Sequence, residues 1–201
     1  MKIIGLCGGS GSGKSTVSEI FLALGIPGVN TDALYHELTS RKSPCLDALV
    51  CEFGAEILNE KGALNRQALS KIVFSGEGAS EKRRRLNLIS HKFVLDATRE
   101  MLKMFEENGA KAALVDAPLL FESGFNEECD VIIAVIADEK TRISRIIARD
   151  NITENAAKLR IKSQLPDAYL QEKSDYVIDN SSDIAEIEDA VVQIANKIIG
   201  T

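Results

Sequence analysis

Short apolar runs alternate with amphipathic stretches along this chain. Ile3 to Cys7 is apolar, brief and followed by glycines, the pattern of a buried parallel strand. Ala112 to Asp116 and Val131 to Ile136 repeat it, Tyr176 to Ile178 is a shorter copy, and Gly28 to Asn30 is a weak one. Between them the apolar positions follow helical spacing. Lys14 to Leu24 carries Val17, Ile20, Phe21 and Leu24 on one stripe, and Gly25 with Pro27 is a stop signal. Further helices are expected over Ala33 to Ser40, Leu46 to Phe53, Arg66 to Phe74 and Ser80 to Glu107, with Gly76 and Gly78 separating the last two. Glu139 to Arg149 and Glu154 to Gln164 also read as helices. Asp183-x-x-Glu186 is a capping box opening a final helix, striped by Ile187, Val191, Ile194 and Ile198. Strands alternating with helices predict an α/β fold, with a five-stranded parallel sheet flanked by helices. Ligands in such sheets sit at the C-terminal strand ends.

The length, 201 residues, suits a single domain with an inserted region. The core is expected at about 1–32, 109–138 and 174–201, a helical region at about 33–108 and a lid at about 139–165. A net charge of −6 argues against a nucleic-acid partner, which needs a basic footprint. It leaves room for a nucleotide, which a few cations and backbone amides can hold. The four cysteines form no C-x-x-C pair and only two histidines are present, so a zinc site is not expected. Scattered thiols suit a reducing compartment, and no run approaches the roughly 18 apolar residues of a membrane span. A cytoplasmic protein without a membrane partner is expected, a monomer with an oligomer left open.

Gly8-x-x-x-x-Gly13-Lys14-Ser15 matches G-x-x-x-x-G-K-[ST] in full, after an apolar strand and before an amphipathic helix. Glycines let successive N–H groups turn inward and approach phosphate oxygens. The helix N-terminus adds partial positive charge. Gly9, Gly11, Ser12, Gly13, Lys14, Ser15 and Thr16 are therefore the candidate ATP-binding set. Lys14 would reach the β- and γ-phosphates, Ser15 would ligate Mg²⁺, and Thr16 would bond on the α-phosphate side. A dinucleotide-binding loop is the nearer rival, but the glycines do not give G-x-G-x-x-G, and no acid ends a clear second strand about 20 residues on.

A guanine-reading switch would carry N-K-x-D. The only Asn-Lys pair, Asn196-Lys197, lies in the final helix and lacks the aspartate. A small-molecule kinase instead needs a group at the acceptor hydroxyl and cations that follow the transferring phosphoryl. Asp32, just past the second strand, is either that acceptor-site base or an N-cap for the helix from Ala33. Asp116 ends an apolar strand, where a Mg²⁺-supporting acid belongs. Arg142, Arg145 and Arg149 fall within about 60° of one another on a helix and read as a solvent-facing stripe, with Ile143, Ile146 and Ile147 packing inward. Such a stripe suits a lid that neutralises phosphate charge. Lys82-Arg83-Arg84-Arg85 reads as a solvated helix turn, and His36 and His91 as satisfied polar residues.

These residues resemble the dephospho-CoA kinase family almost end to end. Leu6 to Thr16 is similar to L-T-G-G-I-G-S-G-K-S-T, and Val115-Asp116-Ala117-Pro118-Leu119-Leu120-Phe121-Glu122 to V-D-I-P-L-L-F-E. Phe53-Gly54, Ile57-Leu58, Gly62, Leu64, Arg66, Leu69 and Val73-Phe74 fit the family's spacing, as do Leu86, Ile89 and His91. Arg160-Ile161-x-x-Gln164 and Lys173-x-Asp175-Tyr176-Val177-Ile178-Asp179-Asn180 complete the match. The resemblance implies a P-loop kinase fold and transfer of phosphate from ATP, with Mg²⁺, to the ribose 3′-hydroxyl of dephospho-CoA, the last step of coenzyme A synthesis. It aligns Asp32 with the proposed base, and puts Arg142, Arg145 and Arg149 in the lid. It implies an acceptor site that includes Asp32, His91, Pro118, Leu119, Leu120, Phe121 and Glu122. The chain departs from the pattern at Asn30, where an acid is usual, at His36 in place of an arginine, at Ser10 and at Lys92. A kinase of another nucleoside or nucleotide, or a P-loop NTPase switch, is the alternative reading.

Overall fold

A computed structural model describes residues 1–181 and 183–200 of the chain. Ser182 and Thr201, both within the expected 174–201 core segment, lie outside the described residues. The chain divides into two compact units, Met1–Asn30 with Leu102–Thr201, and Thr31–Met101.

The first unit is built on five parallel strands, β1 (Lys2–Cys7), β2 (Gly28–Asn30), β3 (Ala112–Asp116), β4 (Val131–Ile136) and β5 (Tyr176–Asp179), in spatial order β2-β3-β1-β4-β5. β3 is buried along its whole length, which is why it is apolar without alternation. Register sets Leu6 beside Asp116 and Asn30 beside Asp116, so three strands end together at one edge. Helices α1 (Lys14–Ala23) and α9 (Ile184–Ile199) cover the sheet, with Val17 and Phe21 of the first and Ile187, Val191, Ile194 and Ile198 of the second in its core. Asp183 caps α9 through the Ala185 amide.

The second unit is helical: α2 (Thr31–Ser40), α3 (Pro44–Phe53), α4 (Arg66–Phe74) and the part of α5 (Ala79–Glu107) up to Met101. Cys45, Leu46, Leu49, Phe53, Ile57, Leu64, Leu69 and Val73 form its own apolar core. Helix α3 starts two residues earlier than the apolar spacing indicates. Ser43 accepts the Leu46 amide at 3.1 Å and Pro44 occupies the first turn, where its missing N–H costs nothing. Helix α2 also starts earlier than expected, so Asp32 lies inside its first turn and is not a residue capping it from outside.

In the first unit, α6 (Glu139–Asp150), α7 (Glu154–Lys162) and α8 (Asp167–Glu172) follow β4. The short α8 escapes apolar periodicity because it is one and a half turns long. Pro166 followed by an acid at its first position was the available signal.

Candidate active site

Strand β1 delivers the chain into the loop from Gly8 to Gly13, and the turn is made by glycines in the left-handed region: Gly11 at φ +78° and Gly13 at φ +86°. A side chain at Gly13 would collide with the amide of Asn180. Gly5, within β1, has a packing role. A Cβ there would lie 2.7 Å from Cys129 Sγ and 2.9 Å from Leu120 Cδ2. Helix α1 opens at Lys14 without a side-chain cap, so its first amides face the loop unpaired by the helix itself. The Ser12 hydroxyl is 1% exposed and has no hydrogen-bond partner among the described residues. A buried hydroxyl and inward-turned backbone fit a ligand rich in acceptor oxygens.

Lys14 donates from Nζ to Oδ1 of Asp116, and Asn30 donates from Nδ2 to Oδ2 of the same carboxylate at 2.8 Å. Asp116 is 2% exposed. A carboxylate this buried needs such partners, since an unpaired one would be costly. Three residues distant in sequence thus converge where β1, β2 and β3 end. Ser15 is exposed in the first turn of α1.

On the far side of the loop, Arg145 donates to the Gly11 carbonyl at 3.3 Å, the Ser12 carbonyl at 3.4 Å and the Asn180 carbonyl at 3.0 Å. The Asn180 amide returns a bond to the Ser12 carbonyl at 2.8 Å. The expected solvent-facing arginine stripe needs correction. Arg142 is buried, 4% exposed and ion-paired with Asp167 at 2.9 Å. Arg145 and Arg149 are exposed, and Arg149 pairs with Asp150 at 2.8 Å. Arg160 also reaches Asp150, and the two cations lower that carboxyl to about 2, chiefly through the Arg149 hydrogen bonds. Of the three isoleucines only Ile146 is fully buried, while Ile143 and Ile147 are half-buried. Period alone puts every arginine outward. Here Arg142 turns inward to a half-buried partner, Asp167, on another element.

The Pro118–Glu122 segment follows β3 as a turn. Leu120 is buried, Leu119 and Glu122 are exposed, and Phe121 meets Tyr169 edge-on at 5.6 Å. In the helical unit, Asp32 and His36 are exposed. His91 is half-buried, and that burial lowers its pKa. Arg84 and Arg85 of the basic run both pair with Glu81, which is the bland reading of that run. Sequence reasoning gave no role to Asn30, Gln164, Asp167 or Asn180. Asn30 stood out only as a departure from a pattern, and Gln164 and Asn180 only as matches to one.

The model of the dephospho-CoA kinase family matches residues 2–186. The chain belongs to the dephospho-CoA kinase family. It is 37% identical to the dephospho-CoA kinase of Syntrophotalea carbinolica, over 99% of this chain and 93% of that protein. A crystal structure from Thermus thermophilus superposes with a TM-score of 0.81 at 26% identity, covering 98% of this chain and 97% of the other. The dephospho-CoA kinase from Campylobacter jejuni gives 0.71 at 25% identity, covering 100% and 98%. The chain is thus a transferase with the P-loop kinase fold, as the alternation of strands and helices and the glycine loop together implied.

Proposed function

We propose that this chain transfers the γ-phosphoryl group of ATP to the ribose 3′-hydroxyl of dephospho-CoA, giving CoA and ADP. The observation that carries the reading is the family match across nearly the whole chain. The convergence of Lys14, Asp116 and the glycine loop at one sheet edge supports it. The loop amides and Lys14 hold the triphosphate. Ser15 and Asp116 are the groups that would hold Mg²⁺, which when bound neutralises charge on the phosphate oxygens. Asp32 takes the proton of the acceptor hydroxyl as its oxygen bonds to the γ-phosphorus and the bond to the β–γ bridging oxygen breaks. Arg145 and Arg149 supply positive charge from the lid, about residues 139–165. The helical region, about 33–108, with His91, takes the acceptor. The protein works in the cytoplasm.

A coupled assay with Mg-ATP and a panel of acceptors tests this. ADP release should depend on dephospho-CoA. Release without acceptor would favour an NTPase, and release with another nucleoside would favour a sibling kinase. Asp32→Asn should leave ATP binding nearly intact and cut turnover about 10²–10⁴-fold. Unchanged turnover would remove Asp32 from the role.

A further inference from the structure

One cluster around the buried Arg142 plays no part in this reading. Arg142 donates from Nε to the Ser10 carbonyl at 3.0 Å, from Nη1 to the two carboxylate oxygens of Asp167 at 2.9 and 3.0 Å, and from Nη2 to Gln164 Oε1 at 3.3 Å. The same Gln164 oxygen accepts the Ser10 amide at 2.9 Å. Both backbone groups of one residue at the loop tip are therefore held by side chains from α6 and from the segment after α7. A buried guanidinium is costly unless its charge and donors are matched, and here they are.

Two loop glycines face this cluster. A Cβ on Gly9 would lie 2.9 Å from Arg142 Cζ and 3.1 Å from Gln164 Oε1, and one on Gly11 would lie 2.6 Å from the Arg142 carbonyl oxygen. Room for Arg142 is thus a second reason for these glycines, beside the approach of phosphate.

We infer that Gln164 and Asp167 are positioning residues for the nucleotide: they hold Arg142 as a latch on the Ser10 backbone and so fix the tip of the phosphate loop. Arg142 then works on the loop and not on the transferring phosphoryl. The inference rests on reading Gly8 to Thr16 as the ATP site. A loop held in its binding shape loses less freedom when the triphosphate arrives, so the latch acts on affinity more than on the chemical step.

The test uses the full chain with Gln164→Ala, Asp167→Asn and Gln164→Glu. Calorimetry with Mg-ATP gives Kd, steady-state rates give KM and kcat, and backbone hydrogen exchange reports on residues 9–13. Gln164→Ala and Asp167→Asn should weaken ATP binding about 10- to 100-fold, with kcat within about threefold and the acceptor KM unchanged. Exchange at the Ser10 amide should quicken in Gln164→Ala. Gln164→Glu keeps an acceptor for both donors and should restore affinity. Unchanged affinity and exchange in Gln164→Ala would overturn the latch. So would tighter ATP binding and faster turnover in Asp167→Asn, the sign expected if Asp167 only withholds Arg142 from phosphate. Gln164 is half-buried, so its variants decide the matter should Asp167→Asn fail to fold. A wild-type protein that binds no ATP would sink the ATP-site reading itself.

Discussion

In the unit that carries the sheet, the polar side chains around the glycine loop find their partners across the chain. Lys14 meets Asp116, Asn30 meets the same acid, Arg142 meets Ser10, and Asn180 meets Ser12, all across more than 80 residues of sequence. In the helical unit most charged pairs are one helical turn apart and exposed: Glu37 with Arg41, Glu81 with Arg84, Asp96 with Lys92 and with Arg99. The first kind of pair sits in low dielectric, where each partner is needed by the other. The second kind is screened by water and held by flexible side chains. The contrast says where the chain's chemistry is fixed and where its charges serve mainly solubility.

The sharpest way to break the contrast is to cut the buried network at its cation. Lys14→Ala removes the proposed phosphate ligand and leaves Asp116 with a buried charge supported by fewer donors. ATP affinity and turnover should both fall, turnover by about 10³-fold or more, in calorimetry and steady-state assays. A variant with near wild-type kcat/KM would show that the network is not the phosphate site. A comparable loss can be made in the helical unit only through its apolar core. Leu49 is fully buried, and Leu49→Ala should cost about 2–5 kcal/mol in a denaturant titration. A loss under about 1 kcal/mol would mean that this unit's core collapses readily around a cavity.

The same contrast decides what the sequence could tell. Strands β1, β3 and β4 and the glycine loop were legible because each is a local signal: an apolar run, a glycine spacing, a lysine at the helix start. The carboxylate at Asp116 was legible because it ends such a run. Arg142 was not, because helical period sorts side chains by polarity, and its burial depends on Asp167, 25 residues on in a helix too short to show periodicity. Asn30 looked like a lapse from the family acid. Beside Asp116 it is an amide donor, where a second carboxylate would repel the first. The start of α2 was misjudged by two residues, which is enough to move Asp32 from a cap into a first turn.

A smaller effect probes burial in the helical unit. His91 is half-buried and its pKa is lowered by desolvation, so the unfolded chain takes up its proton at a higher pH than the folded one. Its contribution is therefore constant above about pH 6.5, the ordinary histidine value, and stability is lost as pH falls below that towards the lowered folded value. Melting temperature should drop between pH 7.5 and 5.5, and His91→Gln should flatten part of that drop. An identical pH profile in the variant would place His91 in a water-like setting.

Thiols give a finer comparison. Burial pushes Cys7 up to about 11 and Cys129 up to about 12, so both stay protonated at neutral pH. Cys45 is buried and its pKa is raised for the same reason. Cys51, in α3 of the helical unit, is exposed. A disulfide reagent at pH 8 should label one thiol quickly, and Cys51→Ser should abolish that fast phase while leaving activity unchanged. A fast phase that survives the substitution would mean that Cys7, Cys45 or Cys129 opens to solvent on the reagent's timescale, and single Cys→Ser variants would say which.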